Sequence, residues 1–345
     1  MNYTIISIQE KKKWKDYIRR ALYFDFYHSW HYHSAISDGE PLLFVYESAA
    51  DFIAIPLIKR VIKGSDHFDL TSAYGYVGPV TNRLVEELED GFLQDFSAAF
   101  KAYMSDEKIV SVFSRLHPLM GQNRILKLIG GVCETGATVY IDLKRPIEQQ
   151  TAGYRKSVRN SIHSLVAADP LPTVREVKTE NDLKTFASIY RENMLRIGAS
   201  EYYQFDEEYF RDLMGTNEFF PMPLIMFKQD VAIAAGFFVF TNDIIQVHLL
   251  ATRTDYLHLS PTKLLVHQAS QIGREHKMRY LHLGGGVGGK NDSLYFWKTG
   301  FSDTSLDFHT WQFINDQKEY DQLVDASFAG SPTKSDFFPK YRATE

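Results

Sequence analysis

The sequence predicts an α+β protein of two domains, with mixed, mostly antiparallel sheets flanked by helices. Three observations carry that reading. The chain has 345 residues, more than one hydrophobic core usually organises. Short apolar runs joined by two-residue polar turns alternate with segments whose apolar residues recur every three or four positions. The second half reads strand, helix, helix, three meandering strands, helix, strand, short helix, strand, and the first half echoes that order incompletely.

The elements follow in order. "PLLFVYE" and "DFIAIPLIKRVI" read as strands around the polar turn at residues 48–51. Asp69 to Val80, "DLTSAYGYVGPV", has too much glycine and proline for a regular element. Val85, Leu88, Phe92, Phe96, Ala99 and Tyr103 mark one face of a helix, and "KIVSVFSRLHPL" and "TVYIDL" read as strands. The character changes at Glu148, so the domains are set at 1–147 and 148–320, with a polar tail over 321–345 that adds little. "EQQTAGYRKSVRNSIHSLVAADPLP" reads as one basic helix stopped by its prolines, and "TVREV" as a strand. A helix with Asn181 as its cap ends at Gly198, and "DEEYFRDLM" is a second, shorter helix. Three strands follow, "PLIMFKQ", "AIAAGFFVFT" and "IIQVHLLATR", turning at "QD" and "ND". Ser260 and Pro261 open another helix, "RYLHLGG" is a strand running into glycines, and "LDFHTWQFI" is the last strand.

Composition narrows the function. The net charge of -5 provides no global field for nucleic acid, and DNA is not expected as a partner. Cys133 is the one cysteine, which excludes an internal disulfide and fits a reducing compartment. No run approaches the roughly 20 apolar residues of a membrane span and the N-terminus has no signal-peptide core, so a cytoplasmic protein is expected. His28, His31 and His33 lack a standard metal-ligand spacing, and no metal is expected.

Residues 284–289 contain five glycines, and Lys290 follows. The spacing approaches a P-loop, G-x-x-x-x-G-K-[ST], but Asn291 stands where the hydroxyl for magnesium belongs, and only one clear strand follows. The better reading is a strand end where Gly284, Gly285 and Gly286 let backbone face a ligand, their N–H groups forming an anion or oxyanion nest.

Several motifs resemble one family in the right order. They are the helix opened by Ser260-Pro261, the strand ending in Gly284-Gly285, and Trp297-Lys298-Thr299-Gly300-Phe301. In the first half they are "YGYVGP" at 74–79, with Ala73 where proline is usual, and Arg115-Leu116-His117-Pro118. Together they resemble the FemAB-like branch of the GNAT acyltransferase superfamily over about residues 35–315. The resemblance implies two GNAT-like domains with the acceptor bound in a cleft between them, and an N-acyltransferase that moves an acyl or aminoacyl group to an amine. The acceptor it implies is an amino sugar or peptide of the cell envelope.

The resemblance also implies site residues. Lys298 would lie near the transferred group and stabilise an oxyanion or hold a phosphate. His248 would be the base, and Trp297, Tyr256 and the three glycines would touch substrate. Tyr74 and Tyr76 would line the acceptor site, and Arg115 and His117 would bind an anionic acceptor. Against these stand plainer roles: a surface lysine, a satisfied core histidine, a packed loop and a buried ion pair. The donor would be acyl-CoA, an acyl carrier protein thioester or aminoacyl-tRNA. The loop Arg253–Pro261 has no glycine, which departs from the pyrophosphate loop of ordinary GNAT enzymes, and no helical arm for tRNA is found. Arg155, Lys156 and Arg159 read as a solvated helix face, or as a phosphate contact. A non-catalytic binding protein on the same scaffold is the competing class, and a P-loop-like nucleotide binder a third.

Overall fold

The structure, a computed structural model, describes residues 3–36, 38–200, 203–328 and 336–343. The chain divides into two compact units, Met1–Gly136 with Asp307–Glu345, and Ala137–Leu306. The first unit holds β1 (Tyr3–Ser7), α1 (Lys11–Arg20), α2 (Trp30–Ser34), β2 (Glu40–Ser48), β3 (Asp51–Val61), β4 (Phe68–Thr71) and β5 (Val80–Thr81). It continues with α3 (Asp90–Asp106), β6 (Ile109–Arg115) and α4 (Asn123–Leu126). Through β7 (Val132–Asp142) the chain enters the second unit, with α5 (Ile147–Gly153), α6 (Lys156–Val166), β8 (Thr173–Glu176), α7 (Glu180–Ile197) and α8 (Glu207–Met214). Then come β9 (Phe220–Lys228), β10 (Val231–Thr241), β11 (Ile244–Thr252), α9 (Thr262–Glu275), β12 (Tyr280–Gly285) and α10 (Ser293–Lys298). β13 (Ser305–Ile314) and α11 (Gln317–Ser327) lead back to the first unit.

The expected α+β class, with mostly antiparallel mixed sheets, is what the structure shows. In the first unit the strand order is β1-β2-β3-β4-β6-β13, antiparallel at every step except β4 with β6. In the second it is β8-β9-β10-β11-β12-β7, antiparallel except β11 with β12. The two sheets thus take the same direction at each corresponding step. The echo that looked incomplete in sequence is complete in topology.

Alternation explains the layers. Leu42, Phe44 and Tyr46 of β2 join a core with Phe96, Phe100 and Tyr103 of α3, while Leu43 and Val45 face Trp14 and Ile18 of α1. In the second unit Phe238 and Phe240 of β10 pack with Leu264, Leu265 and Ala269 of α9. Phe237 turns to the other face, with its ring 5.9 Å from those of Phe186 on α7 and Phe210 on α8.

Several local expectations change. The basic helix is two helices, because Tyr154 and Arg155 adopt extended backbone between α5 and α6. The cap of α7 is Thr179 rather than Asn181, since Asp182 completes a reciprocal capping box with Thr179. Ser260 does not cap α9; it is left-handed, at φ 51°, and Pro261 stands at the helix start.

The segment after Tyr320 was expected to add little, but it closes the first unit. Asp69 on β4 is fully buried and accepts from Arg60 Nε at 2.9 Å, Arg342 Nε at 2.5 Å and the Tyr341 hydroxyl at 3.2 Å. Tyr341 packs on Tyr320, and its hydroxyl lies 2.7 Å from Ser111 Oγ. Two aromatic rings and one arginine suffice to dock a segment that is otherwise polar. Arg342→Ala should therefore lower stability by about 3 kcal/mol, since it strips a partner from a buried carboxylate. Lys108→Ala, which breaks the exposed pair with Asp66, should cost under about 1 kcal/mol. Thermal unfolding of the two variants compares them, and equal shifts would contradict the clasp.

Candidate functional site

β11 and β12 are parallel neighbours, yet they pair only at Ile244–Gln246 with Tyr280–His282. The last paired residues are also tied by side chains, His282 Nδ1 lying 2.9 Å from Gln246 Oε1. Beyond His282 the register slips, and Gly284 and Gly285 pair with Val139 and Thr138 of β7. β11 stays with β10 as far as Thr252. The two parallel strands therefore part at their carboxyl ends, the place where ligands reach parallel sheets. Both following connections start from this end. β11 leads through the 3-10 turn Thr254–Leu259 into α9, and β12 leads through the glycine run into α10.

The glycine run makes a tight turn rather than an open nest. Gly284 and Gly285 are buried, and a Cβ on Gly286 would fall 2.0 Å from Lys290 O and 2.5 Å from Asp292 Oδ1. Asp292 closes the turn, accepting from Val287 N and Tyr295 N, each at 2.9 Å, and so capping α10. Lys290, which stands where a P-loop carries its phosphate-binding lysine, is exposed. The P-loop reading does not fit this geometry.

Lys298 ends α10. Its ammonium donates to Gly285 O at 2.6 Å, at the mouth where the strands part. Desolvation pushes its pKa down to about 8, opposed by the charge of Asp292. Trp297 is half-buried against the core, with its ring 4.9 Å from Phe301, and Tyr256 is likewise partly buried on that core. Arg253 is held by Glu192 at 2.6 Å and by Ala232 O at 2.9 Å.

His248 on β11 is buried beside Phe237, and its Nε2 lies 2.7 Å from the Tyr209 hydroxyl. Burial pushes its pKa down to about 3, which leaves it a weak base. Sequence reasoning missed Tyr209 and Asp292. Tyr209 lies far from His248 in sequence and gave no signal, whereas an Asp one residue before "SLYFWK" is a cap signal.

The other expected residues lie in the first unit. Tyr74 is half-buried, and its carbonyl accepts from the Tyr32 hydroxyl at 3.1 Å. Tyr76 meets Phe308 edge-on at 5.4 Å and His117 at 6.1 Å. Their loop is pinned through Val77 O, which accepts from His28 Nε2 at 3.1 Å and Gln122 Nε2 at 2.7 Å. His117 is enclosed: its Nδ1 accepts from Leu119 N, so Nε2–H donates to the buried Asp25 at 3.2 Å. Arg115 is half-buried over the Phe113 ring at 5.3 Å, with no carboxylate partner among the described residues.

Residues 152–299 match the family profile described as an acetyltransferase (GNAT) domain. No curated protein matches the sequence. Among solved structures, the fold is similar to that of FemX, at TM-score 0.68 and 12% identity over 93% of this chain and 99% of that one. It is also similar to the C-terminal domain (DUF2156) of a putative lysylphosphatidylglycerol synthetase from Agrobacterium fabrum, at TM-score 0.60 and 12% identity over 94% and 98%. A conserved protein of unknown function from Bacteroides thetaiotaomicron VPI-5482 follows, at TM-score 0.57 and 10% identity over 90% and 99%.

The turn makes separate demands on its glycines. Gly286→Ala must push backbone and the Asp292 cap aside, and should destabilise the protein by more than about 2 kcal/mol. Gly288 has open space around its Cβ position but a φ of 61°, so Gly288→Ala should cost only about 1 kcal/mol. Melting temperatures of the two variants decide it, and a larger loss at Gly288 would refute the turn as described.

Proposed function

We propose how a chain that carries a GNAT acyltransferase domain in a FemX-like fold works: as an N-acyltransferase whose reacting carbonyl sits where β11 and β12 part, beside Lys298. The observation that carries this reading is the Lys298 ammonium, held at that mouth by Gly285 O with its pKa pushed down to about 8. An acceptor amine attacks the activated carbonyl, the C–N bond forms, and negative charge gathers on the carbonyl oxygen. Lys298, still mostly protonated at neutral pH, stabilises that oxygen. The C–S or C–O bond of the donor then breaks, and the leaving thiolate or alkoxide takes the proton that the amine loses. His248 is too weak a base for that proton, and in this reading it positions β11 through Tyr209.

The donor is an acyl thioester or an aminoacyl-tRNA. The turn before α9 closes on itself, Ser260 N donating to Leu257 O and Lys263 N to Ser260 O, so it offers little free backbone for a pyrophosphate. A carrier-protein thioester suits that geometry better than CoA, because the carrier's own surface supplies contacts. The acceptor is an amino sugar or peptide of the cell envelope. Within the first unit, Tyr74 and Tyr76 are proposed contacts for a polar ligand, and Arg115 for an anionic group.

Transfer should be measured by amide product formation, offering acetyl-CoA, an acylated carrier protein and aminoacyl-tRNA in turn. Lys298→Ala should lower kcat about 10²–10³-fold with an unchanged melting temperature. The cation is the active form, so wild-type activity should fall as pH rises through about 8, and Lys298→Arg should move that limb upward. Full activity of Lys298→Ala with the donor that works best would remove Lys298 from the mechanism.

A further inference from the structure

Around α6 and α10 the second unit carries cations that, among the described residues, form no ion pair with a carboxylate. Arg155 donates Nη1 to Phe296 O at 3.0 Å and Nη2 to Thr299 Oγ1 at 2.9 Å, at the end of α10. Arg159 donates to Ala152 O at 2.8 Å and to Tyr154 O, at the end of α5. Lys263 Nζ reaches Ser157 O at 3.3 Å and Ser161 Oγ at 3.0 Å on α6. Every one of these partners is a neutral oxygen, so the charges remain uncancelled. α6 and α10 contain no acidic residue, and α9 has none before Glu275. Lys156 and Lys290 add exposed charge, and the nearby Asp292 carboxylate is occupied by backbone N–H groups. A chain of net charge -5 does not produce such a face through its overall composition.

Apolar side chains stand beside these cations. Val287 is 70% exposed, Phe296 55% and Leu294 41%. All three belong to the lobe formed by the glycine turn and α10, which Asp292 closes and Arg155 caps. Single exposed apolar residues are ordinary, but three on one lobe bordered by arginine and lysine form a patterned face.

We propose that this face docks on an anionic lipid bilayer. Val287, Leu294 and Phe296 enter the boundary between headgroups and acyl chains, and Arg155, Lys156, Arg159 and Lys290 meet the phosphates. A nucleic acid would use the same cations, but it has no place for the aliphatic side chains of Val287 and Leu294, so the lipid surface fits the whole face. No helix among the described residues is long and apolar enough to cross a membrane, and the attachment is peripheral. This inference stands apart from the transfer reading, because binding is measured without turnover.

The test is co-sedimentation of the full chain with vesicles of phosphatidylcholine, with and without about one-third phosphatidylglycerol, at about 0.1 M and about 0.5 M salt. The wild type should bind the anionic vesicles at low salt, bind neutral ones far less, and release at high salt. Val287→Ser with Phe296→Ser should lower partitioning at least about tenfold. Lys156→Ala and Lys290→Ala should each lower it about fivefold. Thermal unfolding checks that the variants remain folded, which their exposed positions predict. Failure to bind anionic vesicles would overturn the proposal. So would apolar variants that bind like wild type, or a duplex RNA that binds more tightly than the vesicles and is indifferent to the two serine substitutions.

Discussion

The second unit depends on where one pair of strands stops pairing. β11 and β12 share three residue pairs and then separate, because β12 has a second neighbour, β7, and its register slips at Gly284. The Gln246–His282 contact fixes the parting point at the last shared pair. Had the strands stayed together, their backbone groups would be consumed in the ladder. Because they part, β11 delivers the start of α9 to the same end of the sheet at which β12 delivers the glycine turn. That turn places Gly285 O within reach of Lys298. Where the ladder ends, the backbone of β12 and the Lys298 cation meet.

Much of this was readable from sequence wherever the information was local. The meander β9-β10-β11 followed from apolar runs and the turns "QD" and "ND", and the structure places Gln229 and Asn242 at φ 55° and 51°, as two-residue hairpin turns require. Lys298 and the glycines stood out because each belongs to a short contiguous motif. What stayed hidden depends on distant partners. β1 and β4 are short, and the sixth strand of the first sheet, β13, comes from the far end of the chain, so the first half looked incomplete. The break between α5 and α6 falls directly after Gly153, a signal that the reading of one continuous basic helix passed over. Thr179 and Asn181 are both good caps, and only the reciprocal bonds with Asp182 choose between them. The pairing of Tyr209 with His248 follows no sequence period at all.

The titratable groups divide by how burial treats their charge. His28, His33 and His248 are pushed down to about 3, 4 and 3 by desolvation, so they are neutral at any ordinary pH and serve as fixed hydrogen-bonding groups. His28 bonds Val77 O, His33 bonds Ser29 O and His248 bonds Tyr209, and each thereby holds a segment in place. Lys298 is pushed in the same direction but only to about 8, so at neutral pH it still carries its charge. The depressed pKa means that this charge is under-solvated in the resting protein, with one carbonyl contact and an Asp292 already engaged elsewhere. A developing oxyanion beside it would supply the solvation that water does not. The interaction is then stronger in the transition state than in the ground state, which is the condition for a residue to accelerate a reaction rather than merely to bind. In the proposed mechanism, the same desolvation that makes the histidines inert makes the lysine useful, because its higher intrinsic basicity keeps the proton on.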